Sequence, residues 1–179
     1  VSGVGTARNN LGAATYGLDK AIFAYGYDGD NNLSMSNLVN SSGVIASDVT
    51  GVGTARRELA AAGYGVDKAI FAYGYVSAVS SLSNLVSNSG VVASDVTGVG
   101  TARYGLAAAR YGGDKAIFAY GTTGSVTAVS NLVNSSGVIA TDVSGVGTVR
   151  KSLAAAEYGT DKAIFGYGDN GSIFSLSNL

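Results

Sequence analysis

The chain has no cysteine, no histidine and no proline among its 179 residues. Without cysteine it has neither disulfides nor thiolate metal sites. Without histidine it lacks the usual general base near neutral pH and the commonest metal ligand. Without proline, its turn signals come from glycine, aspartate, asparagine and serine. Charge is scarce: 13% of residues are charged and the formal net charge is −1. That leaves no basic footprint for nucleic acid and no polybasic run for a membrane surface. Apolar runs such as Ala69-Ile70-Phe71-Ala72-Tyr73 are far short of the roughly 20 residues a membrane helix needs, so no membrane insertion is expected. The first residues, Val1-Ser2-Gly3-Val4, carry no basic region and no signal core. An export signal is therefore expected to have been removed, or the protein to travel by another route. Apolar residues, by contrast, make up 46% of the chain, with 27 glycines. That is too apolar for disorder, and the length allows one packed core.

Those residues are arranged in a repeat. The stretch Gly51-Val52-Gly53-Thr54-Ala55-Arg56, followed by Leu59-Ala60-Ala61-Ala62, Tyr64-Gly65 and Asp67-Lys68-Ala69-Ile70-Phe71-Ala72-Tyr73-Gly74, occurs four times. Its arginines, Arg8, Arg56, Arg103 and Arg150, lie 48, 47 and 47 residues apart. A fixed period of this length marks a repeat architecture. The chain reads as one repeat domain, 1–179, with units at about 1–48, 49–95, 96–142 and 143–179.

Each unit holds four short segments parted by turn signals, which is an all-β pattern. The first is Leu11 to Ala14 and its copies. Leu-Ala-Ala-Ala alone would pass for helix, but the run ends at Tyr-Gly before reaching helical length. A tight Tyr-Gly-x-Asp turn leads to the second segment, Lys20 to Tyr27, with copies at Lys68 to Tyr75, Lys115 to Gly121 and Lys162 to Gly168. Its Ile, Phe and Tyr content suits a strand. Phe23, Tyr25 and Tyr27 are expected on one face, Ile22 and Ala24 on the other. A strand apolar on both faces is expected between two similar sheets. Ser-Asn-Leu-Val (Ser36, Ser83, Ser130) and Val-Ile-Ala-Ser-Asp (from Val44, with copies at Val91 and Val138) supply the outer segments. Val1 aligns with Val49, Val96 and Val143, and Leu179 with Leu38. The last unit thus lacks a fourth segment. One blade is short, or the array is longer, or a neighbouring chain supplies the strand.

This pattern resembles the kelch-like repeat: an arginine before an apolar strand, a turn, a strand of the Ile-Tyr-Val-Phe-Gly-Gly kind, a variable loop and two outer strands. Here Arg56, Leu59 to Ala62 and Lys68 to Gly74 carry the likeness. The chain has one glycine where that repeat has two, and no tryptophan in the outer strand. The near-identical Asp-Lys-Ala-Ile-Phe-Ala-Tyr-Gly and Ser-Asn-Leu-Val also resemble arrays in tailed-phage virion proteins. The resemblance implies a β-propeller of about four four-stranded blades, the last incomplete, and a place in a virion or extracellular assembly.

The repeated charges read as structural bolts rather than a catalytic set, which needs different residues at one spot. Arg8, Arg56, Arg103 and Arg150, Lys20, Lys68, Lys115 and Lys162, Asp19, Asp67, Asp114 and Asp161, and Asp48, Asp95 and Asp142 are expected to form inter-strand or inter-blade pairs and to cap turns, with a two-pronged bond where Arg and Asp are partly buried. The acids outside the repeat, Asp28, Asp30, Glu58, Glu157 and Asp169, form no local hydrolase motif. Asp28-Gly29-Asp30-Asn31-Asn32 begins like a calcium loop, but Leu33 and Val39 occupy the places of its glycine and closing glutamate. Gly-Val-Gly-Thr-Ala-Arg lacks the third glycine of a dinucleotide fingerprint. Neither metal nor cofactor is expected. The Asn-x-Ser triplets at Asn32, Asn40, Asn134 and Asn170 arise by chance in a chain so rich in both residues.

Positions that break the repetition are the informative ones. Loops between units and loops between second and third strands should emerge on one face. Arg57, Glu58, Tyr104 and Lys151 are therefore expected to share it with Asp28, Asp30 and Asp169. Loops on a rigid scaffold usually carry binding. The expected function is non-enzymatic: a structural or adhesive module binding a glycan or protein receptor, or neighbouring virion subunits. The alternative is a propeller hydrolase acting on polysaccharide. A homo-oligomer or a longer array is also compatible with the repeat.

Overall fold

A computed structural model describes residues 3–179. The alignment of Val1 with the later valines therefore falls outside the described residues. The chain forms four three-stranded antiparallel sheets, one per repeat, and among the described residues every named element is a strand. They are β1 (Gly12–Tyr16), β2 (Lys20–Tyr27) and β3 (Asn32–Val39); β4 (Ala60–Tyr64), β5 (Lys68–Ala72) and β6 (Ser83–Val86); β7 (Ala107–Tyr111), β8 (Lys115–Ala119) and β9 (Ser130–Val133); and β10 (Ala154–Tyr158), β11 (Lys162–Gly166) and β12 (Ser177–Asn178). The alanine runs are strands, as their short length requires. Small side chains let neighbouring sheets approach closely there. A Cβ on Gly12 would already lie 2.9 Å from the Phe71 ring of the next repeat.

Each first hairpin turns through two left-handed residues. They are Gly17 and Leu18 in repeat 1, and Gly65 and Val66 in repeat 2. Glycine accepts positive φ without penalty, whereas a β-branched valine does not. The turn is clamped from outside. Gly17 N donates to Asp67 O, Gly65 N to Asp114 O and Gly112 N to Asp161 O, each at 2.7 Å. Such strain persists where the surroundings over-determine it.

A second left-handed residue redirects the core. Tyr25, Tyr73, Tyr120 and Tyr167 all have φ between 64° and 66°. In β2 the register slips at this point, between Ala24 and Gly26. A bulge re-aims a side chain, and here it sends the tyrosine to the face opposite the phenylalanine two residues before. Phe71 meets Tyr25 of the repeat before it, and Tyr73 meets Phe118 of the repeat after it, with ring centroids 5.5 and 5.6 Å apart. The expectation that Phe23 and Tyr25 share a face is thereby corrected.

The sheets pack in chain order, first on second, second on third and third on fourth. Ile22, Ala24 and Tyr25 form one apolar cluster with Ala69 and Phe71. Ile70, Ala72 and Tyr73 form the next with Leu106, Ala116 and Phe118. The central strand of repeat 2 is thus dry on both faces, as its unbroken apolar sequence demands, while in repeat 3 Ile117 is half-buried. The fourth sheet leaves its outer face open: Tyr167 is 66% exposed, whereas Tyr25 and Tyr73 are fully buried. Four repeats therefore do not close a ring upon themselves.

The fourth segment of the first three units is not a strand. Its backbone pairs with the third strand only at isolated bridges, Val39 to Ile45 and Ser36 to Val49 in repeat 1, with the same pair of bridges in repeats 2 and 3. Four-stranded blades are thus corrected to three strands plus a tethered segment. That segment nevertheless packs. The Gly90 turn lies against Tyr16 and Leu38, and the Gly137 turn against Tyr64 and Leu85. Between sheets 3 and 4 the corresponding place is an apolar groove of about 440 Å³ beside Tyr111, Ile117, Tyr120 and Leu179. In the interior joints, Val92 and Ile139 occupy it.

Candidate functional site

Two constellations of polar side chains run along the array. One repeats in every unit and lies inside; the other changes from unit to unit and lies at an edge.

The inner one is built on the repeated arginine. Arg56, Arg103 and Arg150 are fully buried. Arg56 Nε donates to Tyr73 O at 2.9 Å, Nη1 to Thr54 O at 3.1 Å and Nη2 to Asn84 Oδ1 at 2.7 Å. Its guanidinium also covers the Tyr25 ring of the preceding repeat, 4.2 Å from the centroid. The ring's hydroxyl donates to Val52 O at 3.2 Å. One tyrosine and one arginine thus pin two repeats together. A desolvated cation over an aromatic face contributes about 2 kcal/mol. Burial draws Arg56 and Arg103 below the ordinary arginine value, opposed by Tyr25 and Tyr73 respectively.

The two-pronged bond expected of a buried arginine and aspartate is not made here: Arg56 Nη1 and Asp95 Oδ1 stand 3.9 Å apart. Asp95 instead accepts from Thr54 N at 3.0 Å, Thr54 Oγ1 at 2.7 Å and Asn84 Nδ2 at 2.9 Å. Asn84 is the adaptor. Its oxygen takes the arginine and its amide serves Asp95 and Ala93 O. Asn37, Asn131 and Asn178 occupy the same place in the other repeats. The invariant second residue of Ser-Asn-Leu-Val was the available signal for this role.

The outer constellation lies where each unit's residue after the arginine bridges the residue after the Tyr-Gly pair. The bridges are Asn9 to Tyr27, Arg57 to Tyr75, Tyr104 to Thr122 and Lys151 to Asp169. Arg57 is sandwiched between two rings, 4.6 Å from the Tyr27 centroid and 5.1 Å from that of Tyr75. Tyr75 in turn meets Tyr104 edge-on at 5.4 Å. Tyr27, Arg57, Tyr75 and Tyr104 form one half-buried row crossing three repeats. Arg57 Nη1 donates to Asn32 Oδ1 at 3.2 Å, and Asn32 Nδ2 donates to Val76 O at 2.7 Å. Glu58 lies 3.8 Å from Arg57 Nε.

Past Tyr104 the row opens at Gly105. A methyl group there would lie 3.6 Å from Lys151 Cβ and 4.0 Å from Glu58 Oε2. Gly105 thus sits between the side chains of Glu58 and Lys151. Asp169 stands beside Lys151 through their bridge. Asp28 is occupied otherwise: its Oδ1 accepts from Asp30 N at 2.9 Å and Asn31 N at 2.7 Å. Those two backbone donors, Asn31 first, hold its carboxyl below the usual range. Asp30 is exposed in the same turn. Tyr27, Tyr75 and Asn32 were missed from the sequence, although Asp169, the fourth member of the Tyr27 and Tyr75 series, was picked out. Reading that column across all four units would have found them.

The chain is defined by this geometry as a repeat β-structure of stacked three-stranded antiparallel sheets. No protein-family model matches it. No curated protein is similar to it at a significant level.

Proposed function

We propose that the chain is a non-enzymatic structural and adhesive module of a virion or other extracellular assembly, and that its edge row binds a glycan. The scaffold is read as propeller-like, on the kelch-like order of arginine, alanine strand, turn and Ile-Phe-Ala-Tyr-Gly strand. The assembly is read from the phage-array wording of the repeats. The observation that carries the ligand class is the row Tyr27, Arg57, Tyr75, Tyr104, built from positions that differ between otherwise near-identical units. Aromatic faces and edges offer apolar area with a polar tip, and Glu58 and Lys151, on either side of Gly105, supply an acceptor and a donor near them. Sugar rings combine those same apolar and polar features. A glycan array probed with the purified chain tests the reading. Binding to a defined glycan set supports it, and an array without signal discards it.

A further inference from the structure

The joint between consecutive repeats is made by the same hydrogen bonds and aromatic contacts at all three places. Per joint, a turn glycine donates to an aspartate carbonyl, as Gly17 N does to Asp67 O, and a second glycine donates to an arginine carbonyl, as Gly26 N does to Arg56 O. A third main-chain bond runs the other way, from Glu58 N to Asn10 O. To these are added the arginine over the tyrosine, the tyrosine hydroxyl on a valine carbonyl, and the tyrosine against the phenylalanine.

Each end of the chain presents one half of this joint. At one end stands Tyr167, left-handed like its three counterparts yet 66% exposed. Gly159 N and Gly168 N make none of the bonds their counterparts make, among the described residues. At the other end stand Arg8 and Phe23. No tyrosine ring lies under Arg8 among the described residues, and Phe23 is half-buried where Phe71 and Phe118 are fully buried.

We propose that these two end faces are the halves of a fourth joint, completed head to tail by a second copy of this chain. Continuity with the three internal joints carries the assignment, because the missing half is specified group by group. Tyr167 of one copy takes Arg8 over its ring and Phe23 against its edge. Its hydroxyl donates to Val4 O, Gly168 N to Arg8 O and Gly159 N to Asp19 O. Such a contact is heterologous, so its repetition closes a ring or grows a fibre according to the rotation per unit. This inference does not depend on the glycan reading.

The test is complementation between two variants, read by sedimentation velocity. Tyr167→Gly removes the exposed ring while easing a left-handed backbone. Phe23→Ala removes the opposing ring. The wild-type chain should sediment as multiples of its 17.8 kDa mass, rising with concentration. Each variant alone should sediment as a monomer with unchanged circular dichroism. An equal mixture should stop at the dimer, since one intact Tyr167 and one intact Phe23 remain to meet. A wild-type chain that stays monomeric into the millimolar range overturns the proposal. Oligomers that survive Phe23→Ala, or a mixture that stays monomeric, overturn it equally.

Discussion

Arg103 holds its guanidinium carbon 4.2 Å above the centre of the Tyr73 ring, although the two residues belong to different repeats. The Tyr73 hydroxyl reaches back to Val99 O at 3.2 Å, four residues before that arginine. Each residue thus locks the segment that carries the other. The same reciprocity joins Tyr25 to Arg56.

Replacing Arg103 by alanine orphans the carbonyls of Thr101, Phe118 and Tyr120, which its guanidinium now serves. Buried acceptors left unmet cost about 1–3 kcal/mol each, less whatever water recovers. A loss of about 3 kcal/mol or more is expected in urea unfolding. Arg103→Lys should lose nearly as much, because an ammonium cannot present a planar fork to divergent acceptors.

Alkali should weaken the joints through Tyr73. Burial raises its phenol to about 12, opposed by Arg103. The unfolded value is about 10. A raised folded value means the folded state holds the proton more tightly. Stability from this group is therefore complete below about pH 10 and is lost as pH rises toward 12. Tyr73→Phe should flatten that decline while removing the bond to Val99 O. Denaturant midpoints between pH 8 and 12, with tyrosinate absorbance followed in parallel, check both.

Acid should act through Asp95 and Asp142. Burial alone would raise their carboxyls, but bonds from Thr54 and Asn84 to one, and Thr101 and Asn131 to the other, outweigh it and hold both low. A lowered folded value contributes stability above the unfolded value of about 4. It is lost as pH falls through the folded value. Asp95→Asn should shallow the slope of stability against pH below about 4, measured by urea unfolding at fixed ionic strength.

If the edge row binds glycan, Tyr104→Ala should remove most of the signal, since the apolar face that a sugar ring would cover is lost on truncation. Tyr104 is half-buried and makes its aromatic contact with Tyr75 alone among the described residues, so the fold should survive. A fall of tenfold or more in affinity, about 1.4 kcal/mol, with an unchanged melting temperature is the expected result. Charge reversal at Arg57 and Lys151 that leaves binding untouched would move the site elsewhere.

The repeat, the strand nature of Ala60 to Ala62 and the dryness of Ala69 to Ala72 were legible because each is written in periodicity, length and composition. The partner of Arg56 was not. A carboxylate looks like the natural mate for a guanidinium, but the structure inserts Asn84 between them and spends Asp95 on Thr54. The sidedness of Tyr73 was hidden as well. Strict alternation places it with Phe71, and only its left-handed φ reverses that. At the edge, Arg57 and Tyr104 stood out because they vary between units. Tyr27 and Tyr75 escaped because they look like one more pair of strand aromatics. Ring closure depends on the rotation between sheets, which no residue type encodes.

Asn10, Glu58, Gly105 and Ser152 hand one main-chain bond from each unit to the next. In such a linear arrangement, the stability of a unit depends on how many flanks are covered, so the outermost units open first. At dilutions where the chain is monomeric, amide hydrogen exchange should therefore be slowest at Ile70 and Ile117 and faster at Ile164, a gradient of fraying along the chain.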